Sequence, residues 1–357
     1  MPARGQDAIT MGTPSATGTT SVPVPGAANA LSTQRIRVVG GLAITNQYTR
    51  HEEKFWSRDL ARLSGGRFSA SIVPFDRAGV PGPEMLNLMK LGVVPFGTAL
   101  LSQTATQYPE LAAPDLAGLN PDMATLRAVV AAFRPHLETL LRERHGVELL
   151  AVYVYPAQVV FCQQPMKRLA DLAGRRIRVS SATQSDFIAA FNAIPVVTEF
   201  SELMANMESG NTECAVTGTM SGNTLGLHER TRFIHTLPIS WGIATFAANR
   251  SAWAALNPDL KALLQHQIPR LEATVWAEAE SETGEGVACN TGGDACTRGR
   301  RGRMSEVRSG PEDEKRRREV FATRVLPGWV QRCGAQCAEV WNRTVAPVVG
   351  IRAAALQ

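Results

Sequence analysis

Hydrophobic and polar positions follow two different periods in the first hundred residues. Apolar runs and alternations predict strands over residues 35–40, 68–73 and 93–100, because successive strand side chains point to opposite faces. Apolar residues at helical spacing predict helices over residues 51–63 and 84–91, and glycine follows each of them within two residues. Strands that alternate with helices at this spacing favour a parallel α/β sheet.

Two long helices carry a clear start signal, the triplet Asn-Pro-Asp. At residues 120–122 and 257–259 this triplet offers a capping side chain, a proline for the first turn and an acid for the positive helix end. The first helix has apolar residues at helical spacing and is predicted to end at Gly146. The second runs to about Gly284 and is long enough to brace one part of the molecule against another.

The α/β alternation repeats in the second half of the chain. Further strands are predicted over residues 147–154, 158–162, 176–179, 195–197, 214–217, 234–239 and 243–249, and short helices over 184–192 and 201–209. The pattern therefore predicts two α/β halves joined by long helices.

This pattern divides the chain into four segments. Residues 35–155 are mainly the first lobe and residues 156–250 mainly the second. Residues 251–357 form the long bracing helix, a cysteine-containing loop and C-terminal helices that pack across both lobes. Residues 1–34 are rich in Ser, Thr, Gly, Ala and Pro, which predicts a disordered leader.

The leader does not identify a cellular compartment. A secretory signal needs an apolar stretch of about 7–15 residues behind a basic start. The residues after Arg4 are too polar, and their apolar stretch is too short, to provide it. Three explanations stay open: the signal has been lost, the start codon is wrong, or export is not of the Sec type.

Composition and charge exclude several classes of protein. The 357 residues are 44% hydrophobic and 19% charged, which excludes global disorder and a collagen-like architecture. No run of about 18 apolar residues occurs, so no transmembrane helix is predicted. The net charge of +5 is too small to identify a partner. The basic clusters at residues 298–303 and 315–318 are interpreted as a solvated loop and helix face, not a nucleic-acid site.

The cysteines favour an oxidising compartment. They lie at positions 162, 214, 289, 296, 333 and 337. The last four form C-x6-C and C-x3-C pairs with no histidine nearby, so disulfides fit them better than zinc does. Two local bridges and two cross-bridges between these segments both stay open. Cys162 and Cys214 are interpreted equally well as buried free thiols or as a third bridge.

The sequence offers no credible catalytic constellation. It has no phosphate-binding loop and no dinucleotide fingerprint, and residues 218–222 read G-x-x-S-G, the wrong spacing for a nucleophile elbow. Residues 51–53 begin like a zinc-protease helix, but position 55 is Phe55 where a second histidine is needed. We therefore predict no enzyme activity, no metal site and no cofactor.

Residues 170–179, Ala-Asp-Leu-Ala-Gly-Arg-Arg-Ile-Arg-Val, resemble the central signature of the periplasmic solute-binding proteins of TRAP transporters, the DctP family. Further motifs of that family are matched, in the same order and spacing, by residues 65–67, 91–94, 199–203 and 207–210. The resemblance implies an α/β fold of the two-lobed periplasmic binding protein type (type II-like), with long connecting helices and a central ligand cleft.

The resemblance also implies a function. Such a protein captures a small organic carboxylate by cleft closure and delivers it to the TRAP membrane permease subunits. It is expected to be periplasmic and monomeric, not itself membrane-spanning and without nucleic acid as a partner. An enzyme or a ligand sensor on the same bilobal fold is the alternative.

The family's binding arginine corresponds to Arg178 in this sequence. Its guanidinium offers two parallel donors that match the two oxygens of a carboxylate. Gln158 stands where many relatives have a second arginine, and Thr217 stands where they have an asparagine. One cation fewer implies a ligand with one carboxylate, with or without hydroxyl or keto groups, bound also by Gln158, Thr217 and Thr219.

The first lobe is expected to supply the opposite wall of the cleft. Asn46, Gln47 and Tyr48 follow the first strand, and open parallel sheets bind ligands at the carboxyl ends of their strands. Arg77 lies in the loop after the second strand, at the same end, and is a candidate to restore the missing cation.

Overall fold

The structure is a computed structural model and describes residues 33–354. The predicted leader falls almost entirely outside the described residues, and Gln34 is already the first residue of a strand. The strands are β1 (Gln34–Gly40), β2 (Phe68–Pro74), β3 (Phe96–Leu100), β4 (Val147–Val154), β5 (Gln158–Cys162), β6 (Arg176–Val179), β7 (Ile194–Val197), β8 (Cys214–Gly218), β9 (Phe233–Ser240), β10 (Ile243–Asn249) and β11 (Ser305–Val307).

Helices connect and cover these strands. The α-helices are α1 (Leu60–Leu63), α2 (Met85–Lys90), α3 (Leu101–Thr104), α4 (Met123–His145), α5 (Ala182–Ala189), α6 (Leu203–Glu208), α7 (Thr219–Leu225), α8 (Leu227–Arg230), α9 (Arg250–Ala254), α10 (Pro258–Thr291), α11 (Pro311–Val320), α12 (Leu326–Cys333), α13 (Ala335–Thr344) and α14 (Ala346–Val349). Wider π-helical turns lie at Gln47–Glu52, Phe55–Asp59 and Phe321–Val325. Tighter 3-10 turns lie at Gly82–Glu84, Pro109–Asp115, Leu169–Leu172 and Phe200–Glu202.

The first sheet has the strand order β2-β1-β3-β10-β4. Strand β1 pairs in parallel with β2 and β3, as the βαβ pattern predicts. Strand β10, which comes from the second half of the chain, pairs antiparallel with both β3 and β4. The three strands from which a parallel sheet was predicted are therefore parallel, and the sheet becomes mixed because the distant strand β10 enters it in the opposite direction.

The second sheet has the order β11-β9-β5-β8-β6-β7. Strand β6 lies between β7 and β8 and is parallel to both, while β5 is antiparallel to β8 and β9. The two-residue segment Trp241-Gly242 joins β9 to β10 of the other sheet, and residues 155–157 join β4 to β5. The backbone N–H of Tyr155 donates to the carbonyl of Gly242 over 3.0 Å, so the two crossings lie side by side.

Both predicted long helices form. Helix α10 begins at Pro258 behind its cap Asn257 as predicted, whereas α4 begins at Met123, so Pro121 lies before the helix and Asn120 is not its cap. In α4 the cap is Asp122, whose side chain accepts from the N–H of Thr125, and Gly146 ends the helix at a φ of 62°. The predicted end of α10 at Gly284 is wrong, because the helix is 34 residues long and ends at Thr291. Gly286 lies against helix α7, where a Cβ would come within 2.4 Å of the Met220 backbone nitrogen. This glycine therefore serves close packing and does not end the helix.

All six cysteines form disulfides, and the last four pair locally. Cys289 pairs with Cys296, and the third bridge joins the cysteines at positions 333 and 337. Cys162 and Cys214 face each other at the paired ends of β5 and β8 and form the remaining bridge. Across residues 33–354, no helix combines the length and apolar character needed to cross a membrane.

Candidate functional site

A cavity of about 290 Å³ lies between the two sheets, beside the segments that cross from one sheet to the other. Its polar and charged lining residues are Thr45, Ser102, Gln103, Thr106, Tyr155, Gln158, Arg178, Ser180, Thr198, Glu199, Glu202, Thr217 and Ser221. Apolar side chains from both halves complete the wall, namely Leu42, Pro83, Leu100, Val197 and Phe200. The backbone of Gly218 and Gly242 also reaches the cavity.

The side chain of Arg178 is held by the backbone of its neighbouring strands. Its Nε and Nη2 donate to the carbonyl of Thr198 over 3.1 and 2.7 Å, and its Nη1 donates to the carbonyl of Val216 over 3.1 Å. A guanidinium has five N–H hydrogens. Two of them, one on each terminal nitrogen, therefore have no acceptor among the described residues.

Arg178 is a buried cation whose charge is not balanced by an ion pair in the described part of the chain. The residue is only 2% exposed, and burial lowers its pKa to about 10, with the Glu199 carboxylate acting weakly in the opposite sense. At neutral pH the guanidinium is thus still protonated. An unpaired buried charge is costly, and an anion in the cavity would remove that cost. Among the described residues that line the cavity, Arg178 alone is basic.

The neighbouring Arg176 lies on the same strand and behaves differently. It is exposed, and its Nη2 donates to the carbonyl of Gly210 over 2.5 Å. Residues two apart in a strand lie on the same face of the sheet. The structure places Arg178 at the cavity and Arg176 at the surface.

Gln158 reaches the same cavity from β5. Its Oε1 accepts from Gln184 Nε2 over 2.6 Å and from the Ser240 hydroxyl over 3.4 Å. Its Nε2 has no acceptor among the described groups and lies against Gly242, where a Cβ would come within 2.6 Å of it. The donor side of the amide thus faces Gly242, and Gln158 and Gly242 both line the cavity.

Thr217 and Thr219 are two residues apart and have different surroundings. Thr217 is the second-last residue of strand β8, beside the strand that carries Arg178. It lines the cavity, and its hydroxyl has no hydrogen bond to a described residue. Thr219 begins helix α7, and its hydroxyl donates to the carbonyl of Glu282 in α10 over 3.1 Å. Thr219 thus lies outside the cavity, in the packing between two helices.

The four candidates from the first half of the chain do not line the main cavity. Asn46 and Gln47 border a separate space of about 10 Å³, where the Asn46 amide donates to Glu282. Tyr48 is 4% exposed and packs its ring on Gly40. Arg77 is exposed and supplies no second cation to the cavity.

Most residues that the first half of the chain contributes to the cavity were not predicted. Leu42 and Thr45 follow β1 and lie just before the predicted Asn46. Leu100, Ser102, Gln103 and Thr106 come from the end of β3 and the segment after it. The rule that pointed to the end of β1, namely that ligands bind at the carboxyl ends of strands, applies equally to the end of β3. That signal was present in the sequence.

Buried acids support the walls of the cavity. Asp115 accepts from the N–H groups of Trp241 and Gly242 over 3.0 and 2.7 Å and so holds one crossing segment, and burial raises its pKa to about 7. Glu52 accepts from the N–H of Gly41 and from the Thr98 hydroxyl, and burial raises its pKa to about 7 as well. Within residues 33–354 no cluster of His, Cys, Asp or Glu is arranged to hold a metal ion.

Comparison with known families gives a match over most of the chain. The model of a family described as bacterial extracellular solute-binding protein, family 7 (DctP), matches residues 42–288. The comparison with curated protein sequences yields no match.

Several solved structures have a similar fold. One is DctP7 from Bordetella pertussis, an extracytoplasmic solute receptor binding pyroglutamic acid; it has a TM-score of 0.75 and 19% identity, over 87% of this chain and 99% of that one. A TRAP periplasmic solute-binding protein from Desulfovibrio salexigens with bound orotic acid has a TM-score of 0.75 and 16% identity, over 88% and 99%. Another from Shewanella oneidensis, with bound succinate, has a TM-score of 0.73 and 16% identity, over 89% and 99%. At these identities the likeness shows the fold.

Proposed function

Because this chain belongs to family 7 of the bacterial extracellular solute-binding proteins, we propose that it captures a small organic monocarboxylate in the cavity between its two sheets. It then delivers this solute to the membrane permease of a TRAP transporter. The binding is reversible and involves no chemical change of the solute. Arg178, Gln158 and Thr217 are the residues that we assign to ligand binding.

The observation that carries the proposal is the state of Arg178. It is a buried, protonated side chain with two unused N–H donors at the wall of a cavity, and no described carboxylate pairs with it. A ligand carboxylate supplies both the missing negative charge and two acceptor oxygens at the spacing of the guanidinium donors.

The charge of the lining supports a ligand with a single carboxylate. Only Arg178 among the described lining residues is basic, and Gln158 and Thr217 are neutral. Glu199 and Glu202 also line the cavity, and they would repel a second negative charge at that end. The volume of about 290 Å³ is at the lower end of ligand cavities, so the solute is small. Proteins of similar fold hold pyroglutamic acid, orotic acid and succinate, all of which carry carboxyl groups.

The connections between the sheets support capture by closure. Residues 155–157 and 241–242 link the two sheets at the cavity, and short crossings of this kind can absorb a hinge rotation. Closure would bury the ligand together with Arg178. The three disulfides support function in the periplasm, because such bridges persist in oxidising compartments.

Isothermal titration with a panel of carboxylates tests the proposal. The panel pairs each monocarboxylate with the dicarboxylate of the same carbon number, and native mass spectrometry identifies any solute that co-purifies. We expect binding of monocarboxylates and recovery of the ligand unchanged after incubation. A clear preference for dicarboxylates, binding of no carboxylate at all, or turnover of the bound ligand would overturn the proposal.

A further inference from the structure

We infer that Gln184, which hydrogen-bonds to Gln158, is a positioning residue that makes the cavity selective for carboxylates that also bear a keto or lactam carbonyl oxygen close to the carboxyl group. This inference rests on the proposed function and names the class of solute within it. Gln184 itself is 2% exposed and acts through the amide of Gln158.

The orientation of the Gln184 amide follows from a backbone donor. The N–H of Ser180 donates to Gln184 Oε1 over 2.8 Å, and the Ser180 hydroxyl is 3.1 Å from the same oxygen. A backbone N–H can only donate, so the atom of Gln184 that faces it must be the oxygen. With Oε1 fixed in this way, the NH2 group of Gln184 points in the opposite direction.

The orientation of Gln158 follows from that of Gln184. The NH2 group of Gln184 donates to Gln158 Oε1 over 2.6 Å and to the Ser240 hydroxyl over 2.8 Å. Both hydrogens of this group are therefore used, and the atom of Gln158 that faces it must be an acceptor. A rotated Gln158 amide would place two NH2 groups against each other in a buried site, which costs about 1–3 kcal/mol.

The consequence is a cavity wall that presents hydrogen-bond donors. Gln158 Nε2 has two hydrogens without a described acceptor, and Arg178 has two more. Donors alone can bind a carboxylate and a carbonyl oxygen, whereas an ammonium or amine in the same place would face them without an acceptor. Keto acids and lactam or amide acids fit this wall, and simple alkyl carboxylates leave the Gln158 donor unpaired.

Calorimetry on matched ligand pairs tests the inference. The probes are pyroglutamate with cyclopentanecarboxylate, and 2-oxopentanoate with pentanoate, so that the members of each pair differ chiefly in the carbonyl-bearing group. Because a neutral hydrogen bond contributes about 1 kcal/mol, wild type should prefer the carbonyl-bearing member of at least one pair by about fivefold. In Gln184→Met the Gln158 amide is free to rotate, and the preference should fall to about twofold or less while the affinity for the alkyl member stays the same.

A second variant separates positioning from folding. Gln158→Met should lose the preference by itself, and the double variant Gln158→Met with Gln184→Met should lose no more, because the two residues act as one unit. Gln164→Met, the same change at an exposed glutamine outside the cavity, is the matched control. An additive loss in the double variant, or an unchanged preference in Gln184→Met, would overturn the inference.

The proposed function and this inference about Gln184 can fail independently of each other. If wild type binds no carboxylate of any kind, the proposed function fails. If it binds carboxylates but shows no preference for the carbonyl-bearing members, or binds none of these four probes while binding other carboxylates, the inference alone fails. Circular dichroism melting of each variant shows whether it is folded. If Gln184→Met does not fold, an unchanged preference in the single variant Gln158→Met still overturns the inference.

Discussion

Replacing Arg178 by lysine keeps the positive charge at the cavity but removes the two-pronged donor. The wild-type guanidinium uses three of its five N–H hydrogens on the carbonyls of Thr198 and Val216 and has two left for a ligand. A lysine ammonium has three hydrogens. Two of them are needed for the same two carbonyls, so one hydrogen remains for the ligand carboxylate.

The structure therefore gives a magnitude for the loss. Arg178→Lys removes one of two hydrogen bonds between charged partners, and each such bond contributes about 1.5–3 kcal/mol. We expect the dissociation constant for a carboxylate to rise about 10- to 150-fold. Arg178→Met removes both bonds and the charge, and the dissociation constant should rise by more than about 150-fold.

The assay is isothermal titration with the carboxylate that binds wild type most tightly. Arg176→Lys is the matched control, because Arg176 is on the same strand but is exposed and outside the cavity. The affinity of this variant for the carboxylate should stay within about twofold of wild type. Urea unfolding confirms that each variant is folded. If Arg178→Lys and Arg178→Met both bind within threefold of wild type, Arg178 is not the ligand's carboxylate partner.

Three further predictions concern stability, each measured by urea unfolding. Removing the 52-residue bridge with the double change Cys162→Ala and Cys214→Ala should lower the free energy of unfolding by about 4 kcal/mol by loop entropy, and a loss under about 1 kcal/mol would contradict this. Burial raises the pKa of Glu52 from 4.5 to about 7, so its contribution to stability is fully present below about pH 4.5 and is lost as the pH rises to about 7. The free energy of unfolding should fall by on the order of 3 kcal/mol between pH 4.5 and 8, and Glu52→Gln should remove this fall. An unchanged pH profile in Glu52→Gln would refute the assignment. Gly286→Ala should lower the free energy of unfolding by about 1–3 kcal/mol, because the new Cβ meets the backbone of α7. Gly284→Ala in the same helix meets nothing within 4 Å and should raise the free energy of unfolding by up to about 1 kcal/mol. Equal effects of the two changes would contradict the close packing.

The candidate site shows which parts of a binding site can be predicted from sequence. Arg178 was identified because a local strand motif carries it, and the structure places it at the cavity. Gln158 and Thr217 were named by position relative to that motif, and they also line the cavity. Thr219 was named on the same grounds, but strand β8 ends at Gly218 and a helix begins, so its side chain turns toward α10.

Gln184 shows the opposite case. Its sequence context, a glutamine in the first turn of a short helix, gives no sign of a role in binding. Ser180 is a local neighbour four residues before Gln184, but the role also depends on Gln158 and Ser240, which are distant in the chain and meet Gln184 only in the folded protein. No spacing rule connects such residues, because long-range contacts follow from how the sheets pack.

The sequence by itself determined the features that depend on neighbours along the chain. Periodicity and capping residues fixed most strands and the two long helices, since the hydrogen bonds and the buried face of each element lie within a few turns. The family motif around Arg178 is equally local. Tertiary structure alone decided that β10 returns antiparallel to the first sheet, that the last four cysteines pair locally while Cys162 bridges to Cys214, and that Arg77 stays in solvent. These outcomes depend on which distant surfaces bury each other, and the free energy of that burial is shared among residues that no local pattern connects.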